Sequence, residues 1–228
     1  MMILRARVLS TIASILLFAH PATADLILLN ANRTVSTGYS YLTGGFFPVD
    51  VFESDFLTGS GLADLGVALD ESDVFGGSAT LTTSVTTSSF MGSFAGSFDA
   101  MDGIEALGQP AGSHATSRIL ILFTLSETTT FSLSFSSSVT GATTATTFQG
   151  LSVGSMQYAL GGPAVTEIVT LDAGGYIFEI NVDHAADGLG SGSYFGAFSF
   201  NVIPGPGGLA IMGAGLLIAP RRRRRTRI

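Results

Sequence analysis

The sequence predicts an all-β protein: an antiparallel β-sandwich of jelly-roll-like form, with an N-terminal signal helix and a C-terminal transmembrane helix. Three observations predict it. Charged residues make up only 12% of the 228-residue chain, about half the share usual in soluble proteins, and Gly, Ser and Thr supply most of the polarity. Between the two ends, apolar residues recur with a period of two, the period of a half-buried strand. Clusters of Gly and Asp, residues that tolerate tight turns, separate the alternating runs. A chain of this length has room for a single core.

The first element is the segment 1–24. Arg5 and Arg7 precede the apolar run 8–19, His20 and Pro21 end it, and Ala22-Thr23-Ala24 offers small residues to a peptidase. This is the layout of a secretory signal peptide, handled by the Sec translocon and removed by signal peptidase, so Asp25 is expected to begin the mature chain. The run shows no polar face, which argues against a buried amphipathic helix, and it is too short for a permanent membrane span.

The body, 25–201, reads as strands. Leu81, Thr83, Val85 and Thr87 suggest an early one. Phe90, Phe94 and Phe98 recur every four residues, and the intervening Gly92 and Gly96 would each cost a helix about 1 kcal/mol, which favours extended chain. A short helix is expected only near 99–107. Residues 119–125 are apolar at almost every position, as in a central strand covered on both faces. Phe131, Leu133 and Phe135 alternate with serines; Tyr176, Phe178, Ile180 and Val182 form a further alternating set, and Tyr194, Phe198, Phe200 and Val202 another. The turns at 172–175 and 187–192 are expected to join the last strands as a meander of hairpins. With Trp absent, 17 Phe supply most of the aromatic mass, which predicts phenyl rings buried between the sheets more than aromatic platforms displayed for sugars.

The last element is 202–228. Pro204-Gly205-Pro206 leads into an uncharged apolar stretch, 207–219, followed by Pro220 and the cluster Arg221, Arg222, Arg223, Arg224 and Arg225. As a helix, 203–219 would reach roughly 25 Å, a short anchor beside a ~30 Å hydrocarbon core. The arginines are expected to stay on the cytoplasmic side, which places the body across the membrane, in agreement with the signal peptide.

This order of proline motif, apolar helix and terminal arginine cluster resembles the PEP-CTERM sorting domain of exported bacterial proteins. The resemblance covers 202–228, and Gly205 stands where the family has glutamate. It implies that the helix holds the protein in the inner membrane until an exosortase cuts near 204–206 and passes the body to the cell surface or outside, where association with exopolysaccharide is implied. The ending of the body, from Leu171-Asp-Ala-Gly-Gly-Tyr176 to the Phe198/Phe200 strand, also looks like sandwich bodies that carry such tails.

The chemistry of the body is sparse. Apart from the terminal clusters the only cations are Arg33 and Arg118, set against 17 carboxylates between Asp25 and Asp187, a formal charge of −15. Such a field repels nucleic acid. Cysteine is absent, which excludes disulfides, thiolate metal sites and cysteine nucleophiles. His114 and His184 are the histidines of the body; His184, at a strand end, is expected to be solvated, and no serine stands on a Gly-x-Ser-x-Gly elbow beside it. No catalytic residue is therefore assigned. The acids group as Asp50/Glu53/Asp55, Asp70/Glu71/Asp73 and Asp99/Asp102/Glu105. The last set is the one calcium candidate, because Gly103 permits a turn that could gather oxygens, although EF-hand spacing is missing; otherwise no cofactor is expected, and the acids serve solubility.

The expectation is a non-enzymatic surface or extracellular-matrix protein sorted by its tail. The alternative is a carbohydrate- or calcium-binding module, with Tyr39, Tyr41, Tyr158 and Tyr194 stacking on sugars. A secreted hydrolase built on His184 ranks third.

Overall fold

The computed structural model describes residues 26–204 apart from 44–46, 72–73, 102–106 and 142–147. The signal segment, 207–219 and Arg221–Arg225 lie outside them. The protein is all-β, and the described residues contain no helix. Its strands are β1 (Leu26–Thr43), β2 (Phe47–Thr58), β3 (Gly61–Glu71), β4 (Phe75–Val85), β5 (Ser89–Ala100) and β6 (Gln109–Leu125), then β7 (Thr129–Gly141), β8 (Gly150–Val153), β9 (Met156–Ala159), β10 (Val165–Leu171), β11 (Gly174–Ala186) and β12 (Ser191–Val202). They form two six-stranded antiparallel sheets, β2-β1-β6-β11-β8-β9 and β10-β7-β12-β5-β4-β3. Asp25–Val202 is one compact unit.

The alternation read from the sequence is the alternation observed. Phe131, Leu133 and Phe135 point inward from β7, Phe178, Ile180 and Val182 from β11, and Phe90, Phe94 and Phe98 from β5, all buried. Rings from the two sheets meet across the layer, Phe90 with Phe178 at 5.6 Å and Phe123 with Phe200 at 6.2 Å. The tightest ring pair, Phe131 and Phe200 at 4.2 Å, lies side by side on neighbouring strands of the second sheet.

Three expectations are corrected. The last strands do not form a meander: β11 pairs with β6 and β8 in the first sheet, whereas β12 pairs with β5 and β7 in the second. Both 172–175 and 187–192 are corners between sheets, because turn residues permit a reversal without specifying which strand will accept the backbone hydrogen bonds. Residues 119–125 are covered on one face only. Ile119, Ile121, Phe123 and Leu125 are fully buried, but Leu120 and Leu122 face outward beside the exposed Ile177. Finally, the described part of 99–107 is not helical. Asp99 and Ala100 end β5, and the Ala100 and Met101 amides bond the carbonyls of Gly190 and Val74, both at 2.9 Å, so distant partners use the donors a helix would need.

The core changes character along β6. Leu125, Phe123, Ile121 and Ile119 face a phenylalanine cluster, while Ser117, Ala115 and Ser113 face Tyr39, Thr37, His184 and Tyr194. Arg33 sits near this boundary, 1% exposed. Its guanidinium donates to the carbonyls of Gly59 and Gly61 and to the Thr83 hydroxyl, and burial lowers its pKa.

Candidate functional site

Among the outward positions of β11 are Glu179, Asn181 and Asp183, successive ones about 6.7 Å apart at the rise of a strand. Register places Asn181 beside Arg118 of β6, and Glu179 beside Ser152 of β8, which in turn faces Gln157 of β9. The result is a depression of about 480 Å³ on the outer face of the first sheet, walled on one side by Phe148. Gly150 keeps its floor clear: it has φ 137°, and a Cβ there would lie 2.0 Å from the Tyr158 carbonyl oxygen, so no larger residue can stand between Asn181 and the edge.

Within the groove Arg118 donates two hydrogen bonds to Glu179 Oε1, from Nη2 at 2.9 Å and Nε at 3.3 Å. With side chains 57% and 27% exposed, this pair contributes at most about 1 kcal/mol to stability. Asn181 Nδ2 donates to the Phe148 carbonyl at 3.0 Å, and Gln149 Nε2 donates to the Asp183 carbonyl. The Asp183 carboxylate, the Ser152 hydroxyl and the Gln157 amide have no hydrogen-bond partner among the described residues. The groove thus offers donors and acceptors at close spacing beside an aromatic ring, with no nucleophile and base arranged together.

A smaller depression of about 350 Å³ is bordered by Tyr39, Asp50, Phe52 and His114. Loss of solvent pulls the His114 pKa below its ordinary 6.5, and the nearby carboxylates of Asp183 and Asp50 pull less strongly the other way.

His184 is not the solvated strand-end residue expected. It falls in the inward phase of β11, is 0% exposed, and lies between Phe98 at 5.3 Å and Tyr194 at 6.3 Å. Its Nε2 bonds the Thr140 carbonyl at 2.8 Å, while Nδ1 and the nearby core hydroxyl of Ser113 have no partner among the described residues. Gly192 must be glycine for this packing, since a Cβ there would lie 2.3 Å from His184 Nε2.

The tyrosine platform is also corrected. Tyr39 and Tyr194 are each 2% exposed; Tyr39 donates to Glu71 at 2.5 Å and Tyr194 bonds the Ser117 hydroxyl at 2.8 Å. Burial pushes both phenols well above the ordinary tyrosine range, with Glu71 adding to the effect at Tyr39. Tyr158 is engaged by Glu167. The exposed aromatics are instead phenylalanines, Phe52, Phe56, Phe148 and Phe195, while most of the other described Phe lie in the core between the sheets, as expected.

Of the calcium candidates, Asp99 is exposed at the end of β5, and Asp102 and Glu105 lie outside the described residues. Among the described residues no three metal-ligating side chains come together. Of the sorting motif, Pro204 is exposed two residues beyond β12, and Gly205 and Pro206 lie outside the described residues, as do Ala22, Ala24 and Asp25. No described helix is long and apolar enough to cross a membrane.

Sequence reasoning missed the groove. One signal was present: three successive outward residues of β11, Glu179, Asn181 and Asp183, are strong hydrogen-bonding types, and register sets Asn181 against one of only two arginines in the body. No family model matches the chain, and no curated protein and no solved structure gives a significant match. The likeness of the tail therefore stands on residues 202–228 alone.

Proposed function

We propose that this is an exported, non-enzymatic surface or extracellular-matrix protein, sorted through its C-terminal tail by an exosortase-type enzyme. The observation that carries the reading is the junction between body and tail. The Val202 amide bonds the Ser88 carbonyl at 2.8 Å and ends the sheet, and two residues later Pro204 is exposed. A peptidase acting just beyond Pro204 would cut after the last described strand, so cutting there would cost the body none of its described strands. A non-enzymatic body is supported by the sealed His184, whose imidazole is committed to a backbone carbonyl. The jelly-roll-like form is supported by the crossing pattern, in which the chain changes sheet at β2 to β3, β5 to β6, β6 to β7, β7 to β8, β9 to β10, β10 to β11 and β11 to β12.

Mass spectrometry of both termini of the protein from fractionated native cells tests the reading. A start at Asp25 and an end near Pro204 are the expected result. A full-length chain in the cytosol overturns export, and a membrane-bound chain that keeps Arg221–Arg225 overturns exosortase release.

A further inference from the structure

We propose that the groove on the outer face of the first sheet binds a neutral oligosaccharide. This goes beyond the sorting reading and does not depend on it. The cavity, about 480 Å³, falls within the roughly 300–1,000 Å³ of small-molecule clefts. Sugar hydroxyls each donate and accept, so they are recognised by mixed sets of carboxylate, amide and guanidinium, in contrast to an anion, which needs donors alone. The groove supplies that mixture in Asp183, Asn181, Gln157 and Arg118, and the Asp183 carboxylate and Gln157 amide make no hydrogen bond to other described residues.

Charge narrows the class. Glu179 and Asp183 outnumber the single guanidinium, and they stand on a body of formal charge −15, so phosphate, sulfate and uronate ligands are repelled. Phe148, 40% exposed, gives the C–H face of a pyranose ring an apolar surface. Because Gly150 carries no side chain, the floor from Asn181 outward stays open toward β9, which suits an extended chain rather than a compact ligand.

Calorimetric titration of the purified full-length chain, kept in a zwitterionic detergent without a sugar headgroup, tests the assignment. The probes are cellohexaose, maltohexaose, xylohexaose and chitohexaose, with hexagalacturonate as the anionic counterpart. Saturable binding of at least one neutral hexasaccharide is expected, with Asp183→Ala and Gln157→Ala each weakening it about tenfold or more. Phe195→Ala, on the opposite sheet, should leave it unchanged. Gln157 is exposed on β9, so its substitution reports on binding even if Asp183→Ala disturbs folding. No binding by any neutral probe, tighter binding of hexagalacturonate, or affinity indifferent to Gln157→Ala would overturn the proposal.

Discussion

The two ends of the sandwich core share strands and solve different problems. At one end Phe200 stacks on Phe131 and also meets Phe90, Phe123 and Phe178, with centroids between 4.2 and 6.2 Å. There the interaction is dispersion and exclusion of water, spread over many contacts, so shape decides. At the other end β6, β11 and β12 present Ser117, His184 and Tyr194, and β1 adds Thr37. Each buried polar atom there must find a partner or cost free energy. Tyr194 finds Ser117, Thr37 donates to the His114 carbonyl at 3.1 Å, and His184 finds Thr140. Ser113 Oγ and His184 Nδ1 show that the second problem is solved less completely among the described residues.

The largest effect that would test this contrast is Phe200→Ala. Removing a ring from the centre of the cluster is expected to lower the unfolding free energy by about 3–5 kcal/mol, read from denaturant unfolding. A cost under about 1 kcal/mol would mean that the cluster collapses freely and that shape does not govern that end. Tyr194→Phe is the matching change at the polar end, because it preserves shape and removes one hydroxyl. It is expected to cost about 1–2 kcal/mol, since the Ser117 hydroxyl would lose its partner in the core. A silent Tyr194→Phe would show that pairing does not matter there and would erase the distinction between the ends.

The smallest effect concerns pH. His114 lies on the outward side of the polar end, and its folded pKa is below the ordinary 6.5 because desolvation outweighs Asp183 and Asp50. The unfolded chain therefore binds the proton more readily, and this contribution to stability is present above about pH 6.5 and is lost as pH falls toward the folded pKa. His114→Gln is expected to flatten that part of the pH profile in thermal unfolding. An unchanged slope would assign the acid sensitivity to other groups.

The strands that were legible in the sequence belong to the phenylalanine end. Phe131, Leu133 and Phe135 or Phe178, Ile180 and Val182 announce their inward face because alternation of apolar with polar residues is a local property. β1 is the longest strand and gave no such signal, because its inward set contains Ala31, Arg33, Val35, Thr37 and Tyr39. Arg33 and Thr37 read as outward residues until Gly59, Gly61, Thr83 and the His114 carbonyl are brought to them. β2 was equally silent, since as an edge strand it leaves Asp50, Phe52, Ser54 and Phe56 exposed and its other face is only partly covered, with Val51 half-buried against the core.

Period, turn chemistry and the uncharged, cysteine-free composition were enough to establish strands, the all-β class and the direction of the large rings. Each depends on a residue and its near neighbours along the chain. Partnership required three dimensions: which sheet β11 and β12 joined, whether a histidine was wet or sealed, and whether Arg118, Asn181, Ser152 and Gln157 would share one groove. Antiparallel register joins positions dozens of residues apart through backbone hydrogen bonds that are alike for every side chain, so the choice among pairings rests on how the whole core closes.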